Sequence, residues 1–266
     1  MRRIERKFLE LRTQGRKGLV AYITAGDPDL KTTQALVCAF ECEGIDFLEL
    51  GIPFSDPLAD GVINQMAATR ALNEGVTVKK ILNLVTRIRK KSQIPIILFT
   101  YLNPILKYGF KLFAKEAKQA GVDGILILDL PPEEADEYKK IMSGNEIDTI
   151  FLVAPTSSDV RVKKAAGQAS GFIYCVSRTG VTGTQQKASE EVPALVQRIR
   201  SVSSLPIAVG FGISSAEQVA ALSKISDAVV VGSAIVKRIE EHVSDPHLVQ
   251  HVSKFVGRLA RALREQ

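Results

Sequence analysis

Short runs of β-branched and other apolar residues alternate along the chain with stretches in which apolar positions return every three or four residues. This is the pattern of βα units that build a parallel sheet. The runs Leu19–Thr24, Asp46–Leu50, Ile96–Tyr101, Gly124–Leu128, Thr149–Val153, Phe172–Val176, Ile207–Val209 and Ala228–Val231 predict strands. Helical periodicity predicts helices over Leu30–Cys42, Val78–Arg89, Leu112–Ala120, Glu133–Met142, Val160–Ala166, Val192–Val202 and Ala216–Leu222, with a final long helix from near Ala234. Eight such units in about 250 residues close a (β/α)8 TIM barrel, whereas a doubly wound sheet usually has fewer strands and often a second domain. Ahead of the first strand, Arg3–Leu11 places Ile4, Phe8 and Leu11 on one face and predicts an extra N-terminal helix capping the barrel bottom. No Pro/Gly/Ser-rich linker divides residues 1–266, which read as a single domain.

Composition narrows the class without changing the fold. With 45% apolar and 24% charged residues, disorder, collagen and low complexity are excluded. A net charge of +6 suits an anionic small molecule but is too small to predict nucleic-acid binding. Three cysteines form no disulfide framework, and Cys38 and Cys42 lie one turn apart on an expected helix, which fits a reducing compartment. The basic N-terminus carries Glu5 and Glu10 and lacks an unbroken apolar core, unlike a secretory signal. With no run long enough to span a membrane, the expected location is cytoplasmic.

In such barrels chemistry sits on the loops that follow the strands. Gly210-Phe211-Gly212-Ile213-Ser214 and Gly232-Ser233-Ala234-Ile235 are Gly-rich turns running into helices after strands seven and eight. Close backbone approach and the unpaired N–H groups of a helix start make this pair a phosphate cradle. Glu49 lies near the end of an apolar strand, where burial would raise its pKa toward general acid/base use, against the alternative of a core ion pair. Asp56 and Asp60 sit in a loop stiffened by Pro53 and Pro57 and are read equally as turn residues or functional groups. Asp129 either orients a neighbour or caps the next helix. Arg178, between strand six and Gly180 and Gly183, fits a closing flap or a solvated loop, and Thr182 is an orienting hydroxyl on that segment. His242, His247 and His251 all lie in the C-terminal segment, and the His247/His251 pair lacks the neighbours of a metalloenzyme motif, so they read as surface groups. No lysine lies on the predicted strands for Schiff-base chemistry, and the stripe Lys254, Arg258, Arg261 and Arg264 reads as a solvated helix face.

The segment Glu49-Leu50-Gly51-Ile52-Pro53-Phe54-Ser55-Asp56-Pro57-Leu58-Ala59-Asp60-Gly61 resembles the tryptophan synthase α-subunit family. Tyr22–Pro28, Thr100–Pro104, Ser177–Gly183, Gly210–Ser214 and Gly232–Val236 match in family order over nearly the whole chain. The resemblance implies a cofactor-free lyase that splits indole-3-glycerol phosphate into indole and glyceraldehyde 3-phosphate. Its partner would be a pyridoxal-phosphate β subunit in an α2β2 assembly. It implies Glu49 as the acid/base and Asp60 as the group that holds the indole N–H. It further implies Gly183, Gly212, Gly232 and Ser233 as phosphate donors, and Tyr22, Phe99, Tyr174 and Phe211 as the indole pocket. The segment from Arg178 through Thr182 would close over the substrate, and the loop of Asp56 and Pro57 would meet the β subunit.

The family usually continues Asp-Gly with Pro-Thr-Ile-Gln, whereas here Val62-Ile63-Asn64-Gln65 follows Asp60-Gly61. Loss of a stiffening proline beside Asp60 raises a second expectation, a lyase-impaired subunit that mainly activates its β partner. A third, a sugar-phosphate isomerase or epimerase, needs only the phosphate cradle and leaves the Gly51–Gly61 signature unexplained.

Overall fold

The eight predicted strands form and pair in chain order, all parallel, into a closed barrel. The computed structural model describes the backbone of residues 1–176, 185–210 and 212–264, and the side chains of all of these except 185–190. The first half runs α1 (Arg3–Thr13), β1 (Gly18–Thr24), α2 (Leu30–Glu43), β2 (Phe47–Gly51), α3 (Val62–Asn73), α4 (Val78–Arg89), β3 (Ile96–Thr100), α5 (Leu102–Tyr108), α6 (Phe110–Ala120) and β4 (Gly124–Ile127). The second runs α7 (Asp136–Gly144), β5 (Asp148–Val153), α8 (Asp159–Gln168), β6 (Ile173–Val176), α9 (Gln185–Arg200), β7 (Ile207–Gly210), α10 (Ala216–Ser223), β8 (Ala228–Val231), α11 (Ser233–Glu241) and α12 (Leu248–Arg261). Among the described residues, no helix is long and apolar enough to cross a membrane.

Successive strand residues point to opposite faces, and this alternation splits the core in two. Leu19, Ala21, Ile23, Leu48, Leu50, Ile96, Leu98, Ile125 and Ile127 pack outward in the cluster that includes the helices. Val20, Tyr22, Phe47, Ile97, Phe99, Leu126, Ile150, Tyr174, Ala208 and Val230 fill the interior. Glu49 falls on the interior set, level with Tyr22 of β1 and Ile97 of β3.

The bottom of the barrel is plugged by α1, as its apolar face predicts. Ile4, Phe8 and Leu11 are buried on it, and the Phe8 ring lies 4.6 Å from Phe47 and 5.9 Å from Phe172. Aspartates at the strand entrances tie this end together. Asp46, Asp123 and Asp227 accept the backbone N–H of Leu19, Ile96 and Ile207 on the preceding strand, at 3.0, 2.8 and 2.8 Å. Basic side chains cover them: Arg16 on Asp46, Arg3 and Arg89 on Asp123, Arg2 on Asp148, and Arg200 on Asp227. These pairings account for several of the basic residues near the N-terminus. Lys254, Arg258, Arg261 and Arg264 are exposed, as read.

Three features depart from the sequence reading. The expected long C-terminal helix is two helices, α11 and α12, separated at Asp245-Pro246, where proline lacks an N–H and disfavours helical geometry in the residue before it. Helix α3 lies where the sequence reading assigns no element, because its buried face is only Ala67, Ala68 and Ala71 while Val62 and Met66 point outward. Helix α5 is short and carries Pro104 in its first turn, a position where proline is tolerated.

Candidate active site

The C-terminal ends of β1, β2, β3 and β6 bring together most of the residues that the loop and strand-end reading selects. Glu49 is 1% exposed, and its Oε1 has no hydrogen-bond partner among the described residues. Burial alone pushes its carboxyl up to about 8, so the protonated acid prevails at neutral pH. No core ion pair is recorded for it among the described residues, so that alternative drops out.

Asp60 is fixed from both sides. Tyr101 Oη donates to its Oδ2 at 2.9 Å and Asn64 Nδ2 to its Oδ1 at 3.3 Å, while Gln65 Nε2 donates to its backbone carbonyl at 2.7 Å. The same Tyr101 hydroxyl accepts the Ala59 N–H at 2.9 Å, so one phenol pins both the carboxylate and its loop. Burial raises the Asp60 carboxyl, and the Tyr101 and Asn64 hydrogen bonds pull against it. Burial raises the Tyr22 phenol strongly, and the nearby Asp60 carboxylate adds to the rise. Asp60 is therefore a pocket-lining carboxylate held by two side chains rather than a plain turn residue. Asp56 is exposed, and Pro57 half-buried, on the outer side of the same loop.

Tyr22 and Phe99 meet edge to face, with centroids 5.0 Å apart, and Tyr174 is buried in the same interior cluster. A Cβ on Gly210 would come within 2.3 Å of the Tyr174 hydroxyl, so the end of β7 is glycine to admit that ring. The pocket bounded by Tyr22, Thr24, Asp60, Asn64, Phe99 and Tyr101 has a volume of only about 10 Å³. That is room for one water, and an aromatic ligand must displace side chains to enter.

The phosphate reading is refined. Gly212 holds φ +73°, a left-handed conformation that favours glycine. Helix α10 is closed by its own capping box, Ser215 with Gln218, and Gln218 Oε1 also accepts the Ser214 N–H at 2.8 Å. Its N-terminus is therefore not an open donor set. Helix α11 has no side-chain cap, and Gly232 and Ser233 stand at its start with the dipole's positive end outward. Of the two helix starts expected to cradle phosphate, that of α11 is the one left without a side-chain cap. Arg178, Thr182, Gly183 and Phe211 lie outside the described residues.

Asp129 does not cap the helix that follows it. Its Oδ1 accepts the Leu102 N–H at 2.7 Å, capping α5 after the neighbouring strand and thereby orienting Tyr101. Two functional neighbours escape the residue-by-residue reading. Tyr101 lies within a predicted strand, with only the Thr100–Pro104 match as a signal, and Asn64 appears only as a departure from the family pattern. A third, Arg70, grips Asp27 through two hydrogen bonds of 2.7 and 2.9 Å and reaches Glu240 at 2.9 Å. It joins the β1 loop, α3 and α11, the elements that carry both ends of the site.

The family model described as tryptophan synthase alpha chain matches residues 8–264. The tryptophan synthase alpha chain of Citrifermentans bemidjiense is 47% identical over 263 residues, covering 99% of this chain and 98% of that one. The Geobacter sulfurreducens protein of the same name is 48% identical, covering 99% of both. A crystal structure of tryptophan synthase subunit alpha from Legionella pneumophila superposes with a TM-score of 0.93 at 35% identity, covering 100% of each chain. The (β/α)8 barrel, with its strand-end carboxylates and its uncapped α11, belongs to the tryptophan synthase alpha chain family.

Proposed function

We propose that this protein cleaves indole-3-glycerol phosphate to indole and glyceraldehyde 3-phosphate and passes the indole to a β subunit. The observation that carries the reading is the buried Glu49 carboxyl, without a hydrogen-bond partner on its Oε1 among the described residues, level with Tyr22, which lines the same pocket as the doubly held Asp60.

In this reading the α11 N-terminus and Gly212 hold the phosphate, whose binding energy positions the distant reacting carbon. Glu49 delivers a proton to indole C3. The ring becomes an indolenine whose N–H bears positive charge, and the Asp60 carboxylate accepts that N–H and stabilises the charge. The C3–C3′ bond then breaks: its electron pair restores the indole ring, and the C3′ hydroxyl loses its proton to the Glu49 carboxylate as it becomes the aldehyde. One proton enters and one leaves, so Glu49 ends as it began. The chain's own carboxylates suffice for these proton transfers, and pyridoxal phosphate is assigned to the β subunit of an α2β2 assembly.

The alternative of a lyase-impaired activator rests on the Val62-Ile63-Asn64 departure. Asn64 weighs against it, because its amide supplies a second hydrogen bond to Asp60 where the usual family residue is isoleucine. The test is Glu49→Gln and Asp60→Asn, each assayed for indole release and for binding of glycerol 3-phosphate. Loss of a general acid/base lowers turnover about 10²–10⁴-fold, with glycerol 3-phosphate binding kept. Turnover unchanged in Glu49→Gln removes that residue from the reaction.

A further inference from the structure

The turn joining α11 to α12 gathers three groups that the proposed reaction does not use. One ligand atom from each of His242, Asp245 and His251 lies within 4.8 Å of the others. The two imidazole rings are stacked, with centroids 4.7 Å apart and planes 24° from parallel. The i, i+4 pair that the sequence reading set aside, His247 with His251, is not the one the fold assembles.

Each group is oriented by a neighbour. His242 Nδ1 lies 2.8 Å from the Arg238 carbonyl, which can only accept, so Nδ1 carries the proton and Nε2 presents its lone pair. Asp245 Oδ1 accepts the His247 backbone N–H at 2.8 Å, which leaves Oδ2 for another partner. Asp245 Oδ2 and His251 Nε2 stand 3.3 Å apart. Two ligands at zinc's ordinary distances of about 2.0–2.2 Å, set at a tetrahedral angle, stand about 3.4 Å apart. The Asp245–His251 spacing already matches that. The nearby Arg238 is held by Glu241 at 2.8 Å and packs over the Phe255 ring, so its charge is engaged elsewhere.

We propose that His242, Asp245 and His251 form a surface binding site for a divalent transition-metal ion of the zinc class, clipping the end of α11 to α12. Two imidazoles and a carboxylate suit zinc and its neighbours rather than calcium or magnesium, which favour all-oxygen sites. With His251 48% and Asp245 33% exposed, water completes the shell. The metal takes the place of any proton on His251 Nε2, which leaves to solvent on binding. The site is separate from Glu49 and Asp60 and supplies no step of the cleavage.

The experiment is calorimetric titration of the full chain with zinc chloride, repeated with cobalt(II), whose tetrahedral d–d absorption reports nitrogen and oxygen ligation. About one equivalent binds in the native chain. His242→Gln and His251→Gln each weaken it by at least about 10–100-fold, the scale already seen for loss of an outer-shell partner. His247→Gln and the double variant Cys38→Ser/Cys42→Ser, made in the full chain, retain native affinity. Absence of a titratable zinc site overturns the proposal, and so does binding that survives both His242→Gln and His251→Gln. Loss of binding only in the cysteine variant assigns the metal to α2 and likewise overturns it.

Discussion

Glu49 carries the largest chemical consequence of any single side chain. Its folded pKa, about 8, lies above its ordinary value of 4.5 because burial penalises the charged form. The folded state therefore holds a proton that the unfolded chain releases from the ordinary value upward. Stability from this group is complete below that value and is lost as pH rises through the folded one. Urea unfolding at pH 5, 7 and 9 is expected to show a midpoint that falls across this interval in the native protein and falls less in Glu49→Gln. Equal pH dependence in both would remove the buried-acid assignment. Asn64 gives a second prediction: Asn64→Ile, which restores the usual family residue, removes one hydrogen bond to the Asp60 carboxylate. Hydrogen bonds to charged groups contribute about 1.5–3 kcal/mol, so indole release should drop about 10-fold or more, with glycerol 3-phosphate affinity retained. An unchanged rate would show that Tyr101 alone holds Asp60. At this scale Glu49 was legible because a lone carboxylate in an apolar strand is costly. Tyr101 was not, because its role depends on a β3 end that brings a phenol to a loop forty residues away in the chain.

At the scale of elements, the strands were legible nearly to the residue, since strands buried on both faces read as unbroken β-branched and apolar runs. Helix α3 was hidden by inversion of the usual pattern, with alanines inside and Val62 and Met66 outside. The long C-terminal helix was misread because apolar residues recur at three and four within both α11 and α12, and the break at Asp245-Pro246 separates them. The basic and acidic residues at the strand entrances carried no sequence signal. Their pairing exists only once α1 folds under the barrel. Asp123 shows what that arrangement is worth, since it accepts from Ile96 N–H and pairs with both Arg3 and Arg89. Asp123→Ala leaves Arg89 buried without its counter-charge, and breaking such a pair costs about 3–5 kcal/mol. Denaturant unfolding is expected to show that loss, with activity per folded molecule preserved. A loss under about 1 kcal/mol would reduce the entrance pairs to surface ornament.

For the whole molecule, the proposed site and the proposed partner face are two sides of one loop. Tyr101 and Asp60 look inward, while Leu58, Val62 and Met66 are 84%, 69% and 48% exposed beside Asp56 and Pro57. Large apolar side chains left in water around a single loop mark a contact surface, and in this family the partner expected there is the β chain. Leu58→Asp should weaken association with a matched β subunit about 10-fold or more, the scale of losing an apolar interface anchor. Sedimentation of the mixed subunits reads this directly, and unaltered association would move the interface elsewhere. The central claim is that the Glu49 and Asp60 pair cleaves carbon from carbon. The most direct test is indole release from indole-3-glycerol phosphate by this protein, alone and with its β subunit, beside the β subunit's own indole-to-tryptophan rate. Indole formed by the lone subunit and accelerated by the partner is the result predicted. No indole in either case, with the β rate still raised, would contradict it and leave a barrel that binds and signals without cleaving.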